Sequence, residues 1–328
     1  MTTSFKTLAR IKLIFLKPRQ NLSPNIQGAI FVVTGAFLLI VMASLVKFLG
    51  RTLPAFEVLF VRFLAGLIVL MPLVWRLGFL KIIPTRKPFL HLARGGFGFL
   101  GNLCFFFALI HIPLADTVTI QFSRPLIMVV IAVLILREIV GFKRGLVTVI
   151  GFTGILMITK PFGEGFDPWA LVAVMGTCFG TGVVLTIKLL SRTEQTVTIM
   201  FYFALITTTL ALIPGLVGLT LGGVFDLPAS FMWIMPSWTE MALLIITGAL
   251  GIIGQGMFTH GVGLGETSFV MPFDYMRIVY AFLIGLIWFS EIPGLWSYIG
   301  AVIIIASSLY LLKTEQGSKS KNTSGELK

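Results

Sequence analysis

The sequence predicts an all-α membrane protein of ten transmembrane helices, arranged as two inverted five-helix repeats. Three observations support this prediction: the composition is apolar, uncharged runs recur along the chain, and two segments of the first half recur in the second. Of the 328 residues, 57% are hydrophobic and 12% are charged, and the mean hydropathy is +1.00. Soluble domains carry roughly 25% charged residues, so the composition excludes an ordinary water-soluble fold.

The apolar runs predict ten spans, most of them long enough to cross about 30 Å of hydrocarbon. They are expected near residues 26–46, 55–75, 90–110, 115–136, 142–160, 168–188, 196–220, 239–260, 267–289 and 293–312. The fifth is the shortest, and the cations at its ends are expected to reach the interfaces. Continuous helices satisfy the backbone inside lipid, and these runs are too long for barrel strands.

Lys and Arg residues predict the orientation of the spans. If the N-terminus lies in the cytoplasm, three of the 25 Lys and Arg residues fall outside the cell membrane: Lys47, Arg51 and Lys160. Three more fall within spans: Arg62, Arg124 and Arg277. The others, Arg94 among them, lie in segments expected in the cytoplasm. This asymmetry follows the positive-inside rule and places both termini in the cytoplasm. The net charge of +12 therefore needs no nucleic-acid partner.

Two segments recur in the same order in both halves. VKFLGRTLPAFEVLFVRF, from Val46, aligns without gaps with IKLLSRTEQTVTIMFYF, from Ile187, so that Lys47 matches Lys188. FSRPLIMVVIAVLILREIVG, from Phe122, aligns with YMRIVYAFLIGLIWFSEIPG, from Tyr275. The second alignment matches two pairs of charged residues: Arg124 with Arg277, and Glu138 with Glu291.

Each half holds five predicted spans, and because five is odd the second half enters the membrane in the opposite orientation. Inverted repeats are typical of secondary transporters, whose substrate site lies near the bilayer midplane. The predicted organisation begins with a basic cytoplasmic segment (1–25), continues with two repeats (26–160 and 168–312) and ends with a polar cytoplasmic tail (313–328).

The stretch FFFALIHIPLADTVTIQFSRPLI, from Phe105, and a Glu closing spans four and nine resemble the EamA branch of the drug/metabolite transporter superfamily. The resemblance covers roughly residues 26–312. It implies a ten-helix transporter of the bacterial inner membrane, with a cavity lined chiefly by spans one, three, four, six, eight and nine. It also implies a small-molecule substrate, such as an amino acid or its derivative, riboflavin, S-adenosylmethionine or a sugar-linked metabolite. The sequence departs from the usual pattern by an Arg in spans four and nine and by Asp274.

Arg124 and Arg277 are expected near mid-depth, where a charged side chain costs about 2.5–3.5 kcal/mol. Gln121 and Asp274 each lie three residues before an Arg and share its helix face. One interpretation is that both guanidiniums hold a substrate carboxylate by forked hydrogen bonds. The other is that Arg277 pairs with Asp274 and Arg124 with Gln121, tying helices together. Further substrate-binding candidates are polar or aromatic residues at depth: Asn102, Tyr275 and Gln255.

Glu57 and Arg62 form a second charged patch, in span two. Glu57 lies near the outer end of the span, where it is expected to reach water. One interpretation is that Glu57 gates transport or couples it to a proton; the other is that it anchors the helix at the interface. Asp274 is the better candidate for proton coupling, although exchange would need no titrating group. His91, together with the other two histidines, lies near a predicted span end, where a solvated imidazole is expected.

Several motifs with other meanings are excluded by their context. Gly96, Gly98 and Gly101 spell GxGxxG, but a dinucleotide site needs this motif between a strand and a helix, so close packing of span three is expected. No P-loop lysine, HExxH or GxSxG motif is present, and no catalytic residue, metal or cofactor is predicted.

The predicted function is secondary transport of an amino-acid-like or other carboxylate-bearing metabolite by alternating access. A proton or a counter-substrate is left open as the coupled partner, and so is a homodimer in the lipid bilayer. Two alternatives stay open: an intramembrane enzyme acting on lipid, and an uptake carrier for a vitamin- or nucleoside-type metabolite.

Overall fold

Helices account for nearly all of the described chain. The computed structural model describes residues 23–134, 142–159, 167–190, 193–221, 231–264 and 267–325, and these ranges contain no β-strand. The helices are α1 (Pro24–Leu49), α2 (Ala55–Leu77), α3 (Pro88–His111), the two-piece α4 (Leu114–Gln121 and Arg124–Leu134), α5 (Phe142–Thr159), α6 (Pro168–Leu190), α7 (Thr196–Leu221), α8 (Trp238–Leu264), α9 (Met276–Phe289) and α10 (Leu295–Gly325). Single turns cover Phe79–Ile82 and Thr267–Val270, and a 3-10 helix covers Met271–Tyr275.

Within the described ranges, eight helical segments are long and apolar enough to cross a membrane, and they belong to α1–α4 and α6–α9, the last together with the 3-10 helix before it. Helices α5 and α10 contribute shorter apolar stretches, Gly145–Thr159 and Leu295–Tyr310. The prediction of an all-helical protein with many apolar spans is confirmed, whereas the count of ten spans stays a prediction. Most of the basic segment 1–25 and the predicted end of span four lie outside the described residues.

Glycines let two pairs of helices approach closely. A Cβ added at Gly35 of α1 would lie 2.9 Å from the carbonyl oxygen of Gly254 on α8. A Cβ added at Gly176 of α6 would lie 3.3 Å from the carbonyl oxygen of Gly101 on α3. Small residues at crossings are the usual means of close helix packing in membranes. The α1–α8 and α3–α6 pairs are accordingly among the most extensive helix contacts in the bundle.

The close packing expected for span three is confirmed at two of its three motif glycines. Gly101 faces α6, and a Cβ at Gly98 would clash with the ring of Phe203 on α7. Gly96, in contrast, has no described heavy atom within 4 Å of the Cβ position. Two of the three motif glycines therefore serve helix packing, Gly101 against α6 and Gly98 against α7.

One end of the bundle carries a buried ion pair between helices far apart in sequence. Lys47, at the end of α1, pairs with Glu291, which follows α9. The Lys47 Nζ also donates to the Ile112 carbonyl at 2.7 Å, and Glu291 Oε2 accepts from the Leu114 N–H at 2.9 Å. Ser290 adopts a left-handed conformation with φ 55°, which ends α9 and directs the chain into Glu291.

The other end joins segments that are predicted to be cytoplasmic. Thr85 donates to Glu194 at 2.8 Å, and the Tyr202 hydroxyl donates to the Ile83 carbonyl at 2.6 Å. The loops predicted inside therefore meet one another, while the loops predicted outside meet at the Lys47–Glu291 end.

Three polar side chains that the sequence places near water are instead buried. Lys47 is enclosed by the contacts above. Arg94 donates to the Ile199 carbonyl at 2.9 Å, and His91 packs against the Tyr202 ring, with centroids 4.5 Å apart. The expectation of a solvated His91 is wrong, because α7 covers this face of α3.

Candidate functional site

Helix α4 is broken at the position of its predicted mid-depth arginine. The first piece ends at Gln121, Phe122 and Ser123 form a turn, and the second piece begins at Arg124. Pro125 has no backbone N–H, so the Gln121 carbonyl loses its α-helical donor. The N–H groups of Phe122 and Ser123 bond to carbonyls three residues back, the spacing of a 3-10 helix. The continuous fourth span predicted from sequence is therefore interrupted.

The segment that leads into α9 is irregular at the matching position. Its 3-10 helix, Met271–Tyr275, contains Pro272 and precedes Arg277 by two residues. Tyr275 is the alignment partner of Phe122, and their two rings stack with centroids 4.8 Å apart and planes at 26°. Irregular backbone at membrane depth is tolerated where it is buried in protein or lines a cavity. Both irregular segments thus meet inside the bundle.

Helix α10 supports this meeting point through Ser308. The Ser308 hydroxyl donates to the Phe122 carbonyl at 2.8 Å, and the Tyr275 phenol also interacts with Ser308. In a regular helix the Phe122 carbonyl would accept from the Leu126 N–H, which bonds to Ser123 instead. Ser308 therefore satisfies a carbonyl that the break in α4 has freed.

Arg277 and Asp274 form an ion pair in the α9 half of the site. Arg277 Nε lies 2.6 Å from Asp274 Oδ1, and both side chains are largely buried. The Arg277 guanidinium also lies 4.8 Å from the ring centroid of Phe258 on α8. The pairing expected from their spacing of three residues is confirmed.

Arg124 occupies the α4 half of the site. Its guanidinium donates to Gln121 Oε1 at 3.0 Å, and it is close enough to Arg277 and Asp274 to interact with both electrostatically. Its Nε has no hydrogen-bond partner among the described residues. Gln121, Arg124, Asp274 and Arg277 are called the central cluster below.

The central cluster holds two guanidiniums and one carboxylate. The intrahelical contacts expected of a purely structural arrangement are present in both helices. Even so, a single carboxylate faces two cations, and the net charge of the cluster is positive. Arg presents a planar fork of donors that matches a carboxylate, so the cluster has the chemistry to accept one more anionic group.

The other predicted site residues are placed differently. Tyr275 belongs to the ring stack beside the cluster. Asn102, on α3, accepts a hydrogen bond from the Arg62 guanidinium at 3.1 Å. Gln255, on α8, is exposed, and no contact of its side chain with the cluster is seen within the described ranges.

The charged patch predicted in span two separates into two unrelated contacts. Glu57 is buried rather than wet, and its Oε2 accepts from the Ile234 N–H at 3.0 Å. Arg62 turns instead toward Asn102 of α3. The anchoring interpretation of Glu57 agrees with this contact.

Sequence reasoning missed the two helix irregularities and the supporting role of Ser308. The signals for the irregularities were visible, since Pro125 directly follows Arg124 and Pro272 lies two residues before Asp274. Ser308 gives no such signal, because its role depends on the packing of α10. In the part of the chain that the structure describes, no group of three or more His, Cys, Asp or Glu residues could hold a metal ion.

The apolar helices and the charges between them define a multi-pass membrane protein. The EamA-like transporter family model matches residues 26–160. The S-adenosylmethionine uptake transporter of Rickettsia felis is 30% identical over 293 residues, which cover 88% of this chain and 94% of that protein. The chain belongs to the EamA-like transporter family, within the drug/metabolite transporter superfamily.

Two further relatives have different named substrates. The pseudopaline exporter of Pseudomonas aeruginosa is 30% identical over 291 residues, covering 88% of this chain and 97% of that protein. The riboflavin transporter of Brucella anthropi is 26% identical over 267 residues, covering 81% and 90%. The names of these relatives include both uptake and export.

Proposed function

We propose that this protein is a secondary transporter that moves a small carboxylate-bearing metabolite, amino-acid-like in chemistry, across the inner membrane by alternating access. The observation that carries the proposal is the central cluster, in which Arg124 and Arg277 share Asp274 between the two irregular segments. A substrate carboxylate would balance the excess positive charge through forked hydrogen bonds. The relatives support a small-molecule substrate, since each is named for the transport of one.

The helix contacts support the inverted repeat that alternating access would use. Extended without gaps, the first alignment pairs Gly35 with Gly176, and the second pairs Gly101 with Gly254. The α1–α8 contact at Gly35 and Gly254 is therefore the counterpart of the α6–α3 contact at Gly176 and Gly101. Two halves related by a pseudo-two-fold axis would produce matched contacts of this kind.

The loop contacts support the proposed orientation, with both termini in the cytoplasm. Lys47, Leu114 and Glu291 belong to segments predicted outside, and they bind one another. Thr85 and Glu194 belong to segments predicted inside, and they are hydrogen-bonded to each other.

A second candidate function is uptake of a vitamin-type metabolite with a flat ring system. The stacked rings of Phe122 and Tyr275 beside the cluster and the riboflavin transporter among the relatives favour it. The two candidates differ in whether aromatic stacking or the guanidiniums dominate binding. Phe122→Leu would weaken a flat substrate most, whereas Arg124→Ala would weaken a carboxylate substrate most.

The proposal is tested with purified protein in liposomes, using the metabolites whose distribution changes when cells express the protein. We expect saturable uptake with counter-flow. Arg124→Ala and Arg277→Ala should each reduce it by about 100-fold or more, because a charged, forked contact is lost. Arg76→Ala, at the exposed end of α2, is the matched control and should transport normally. Normal transport by both cluster variants would refute the carboxylate site, and turnover of added lipid would favour an enzyme.

A further inference from the structure

A further guanidinium inside the bundle, that of Arg62, lies outside the central cluster and, unlike the buried Arg94, donates to a side chain rather than to a backbone carbonyl. It lies on α2, is partly buried, and donates to Asn102 Oδ1 at 3.1 Å. Its guanidinium carbon lies 5.1 Å from the Phe63 ring centroid. Among the described residues no carboxylate pairs with Arg62, and the ion pairs there join other residues.

Asn102 is oriented toward Arg62 by a contact within its own helix. Its Nδ2 donates to the Gly98 carbonyl at 2.7 Å, so its amide oxygen is the atom left to face the guanidinium. A neutral amide accepts one hydrogen bond without balancing the charge, and a guanidinium has five N–H donors. Most of the donor capacity of Arg62 is therefore left for another group.

The Arg62–Asn102 pair lies close to the central cluster, at a separate point. A Cβ at Gly101, the residue before Asn102, would lie 3.5 Å from the Gly180 backbone N on α6. A Cβ at Gly180 would in turn lie 3.4 Å from the Arg124 Nε. Helix α6 thus touches both α3 at Gly101 and the Arg124 guanidinium. Arg62 itself is not among the charges that act on Arg124.

We propose that Arg62 and Asn102 form a second anion subsite, and that the transported metabolite carries at least two anionic groups. One group binds the central cluster, and the other binds Arg62 with Asn102 beside it. The charges of the two subsites fit this substrate, because Arg62, Arg124 and Arg277 bring three positive charges and Asp274 brings one negative charge. Two substrate anions bring the sum to zero. This inference rests on the proposed transport function and names the substrate class more closely.

The test uses the host's own metabolites as probes. Cells that lack the protein are compared by mass spectrometry with cells that express the wild type, Arg62→Gln, Asn102→Asp or the control Arg76→Gln. We expect each metabolite whose distribution depends on the wild type to carry two or more anionic groups. Arg62→Gln should reduce at least tenfold the change in metabolite distribution that the wild type causes. Arg62→Lys keeps the charge and should retain part of this change.

Asn102→Asp separates binding from folding. It supplies Arg62 with a carboxylate inside the protein, so the variant is expected in the membrane at wild-type amounts. The same carboxylate takes the place of the substrate's second anion and should also reduce transport at least tenfold. A purely structural Arg62 predicts the opposite result, with transport unchanged or improved.

The outcomes distinguish this inference from the proposal beneath it. A transported metabolite with a single anionic group, or normal transport by both Arg62→Gln and Asn102→Asp, overturns the second subsite. If Arg124→Ala still abolishes transport in that case, the central cluster stands alone as the site. If no metabolite depends on the wild-type protein, the transport proposal fails and the second subsite fails with it.

Discussion

Two buried charged regions of the bundle differ in how completely their charges are partnered. The Lys47–Glu291 pair has one cation and one anion, and each also bonds to a backbone group, the Ile112 carbonyl and the Leu114 N–H. In the central cluster, two cations share one anion. Arg124 Nε has no hydrogen-bond partner within the described ranges.

The difference indicates different roles. A buried charge is costly unless it is paired and hydrogen-bonded, so the complete arrangement around Lys47 is what a structural contact requires. It joins α1, α9 and the α3–α4 connection at the point where these helices end. The central cluster lies instead where α4 is broken and where the chain enters α9 through a 3-10 helix. Under the proposed function, a substrate anion completes its pairing.

The largest expected effect comes from breaking the complete pair. Glu291→Gln leaves Lys47 charged, buried and without its anion, and should lower the free energy of unfolding by about 3–5 kcal/mol. The amide oxygen of Gln can still accept from Leu114, so the loss reports mainly on the charge. Denaturant titration in detergent micelles measures it.

Two further variants control this measurement. Lys47→Met combined with Glu291→Gln should recover much of the loss, because no lone charge remains. Lys143→Met removes an exposed lysine of α5 and should have almost no effect. A change below about 1 kcal/mol for Glu291→Gln would mean that the pair behaves as a surface contact, and the comparison would lose its basis.

A smaller effect, on transport rather than stability, is expected from repairing the break in α4. Pro125→Ala restores an N–H that can bond to the Gln121 carbonyl, which favours a continuous helix and moves Arg124 from its position. Transport should fall roughly tenfold, since small displacements of binding groups are costly, while the protein stays at least as stable. Pro72→Ala, in the interior of α2, is the matched proline control. Equal effects of the two substitutions would show that the break does not position the site.

The contacts that could be predicted from sequence are the local ones. Asp274 with Arg277, and Gln121 with Arg124, lie three residues apart, and helical spacing predicts that such pairs meet. Both contacts form, although α4 is broken between Gln121 and Arg124 and Asp274 lies in the 3-10 helix before α9. Close packing at Gly101 was also predicted, because a glycine on an apolar helix face has few other uses, but its partner helix, α6, was not. The all-helical class followed from composition.

The contacts that could not be predicted depend on how the helices pack. The sequence predicts that Lys47 and Arg94 lie in solvated segments, but both are buried. Lys47 binds the Ile112 carbonyl and the Glu291 carboxylate, and Arg94 binds the Ile199 carbonyl. The contact between Arg62 and Asn102 on the next helix could not be predicted either, because the two residues lie 40 positions apart in sequence. The sequence alignments pair Lys47 with Lys188 and Glu291 with Glu138, and Glu138 lies outside the described residues.

The smallest effect on stability is expected from Asp274→Asn, which compares the central cluster directly with the Lys47–Glu291 pair. Asp274→Asn removes the one carboxylate of the central cluster, but the Arg277 side chain is 16% exposed against 3% for Lys47, and a delocalised guanidinium is more weakly hydrated than an ammonium. The Phe258 ring also still covers the guanidinium. We expect a stability loss well below that of Glu291→Gln, on the order of 1 kcal/mol. Because the internal competitor for the guanidiniums is gone, the KM for a carboxylate substrate should fall severalfold. Transport assays at varied substrate concentration, beside melting curves of the same preparations, measure both quantities. A stability loss as large as that of Glu291→Gln, with an unchanged KM, would make the central cluster a second structural ion pair.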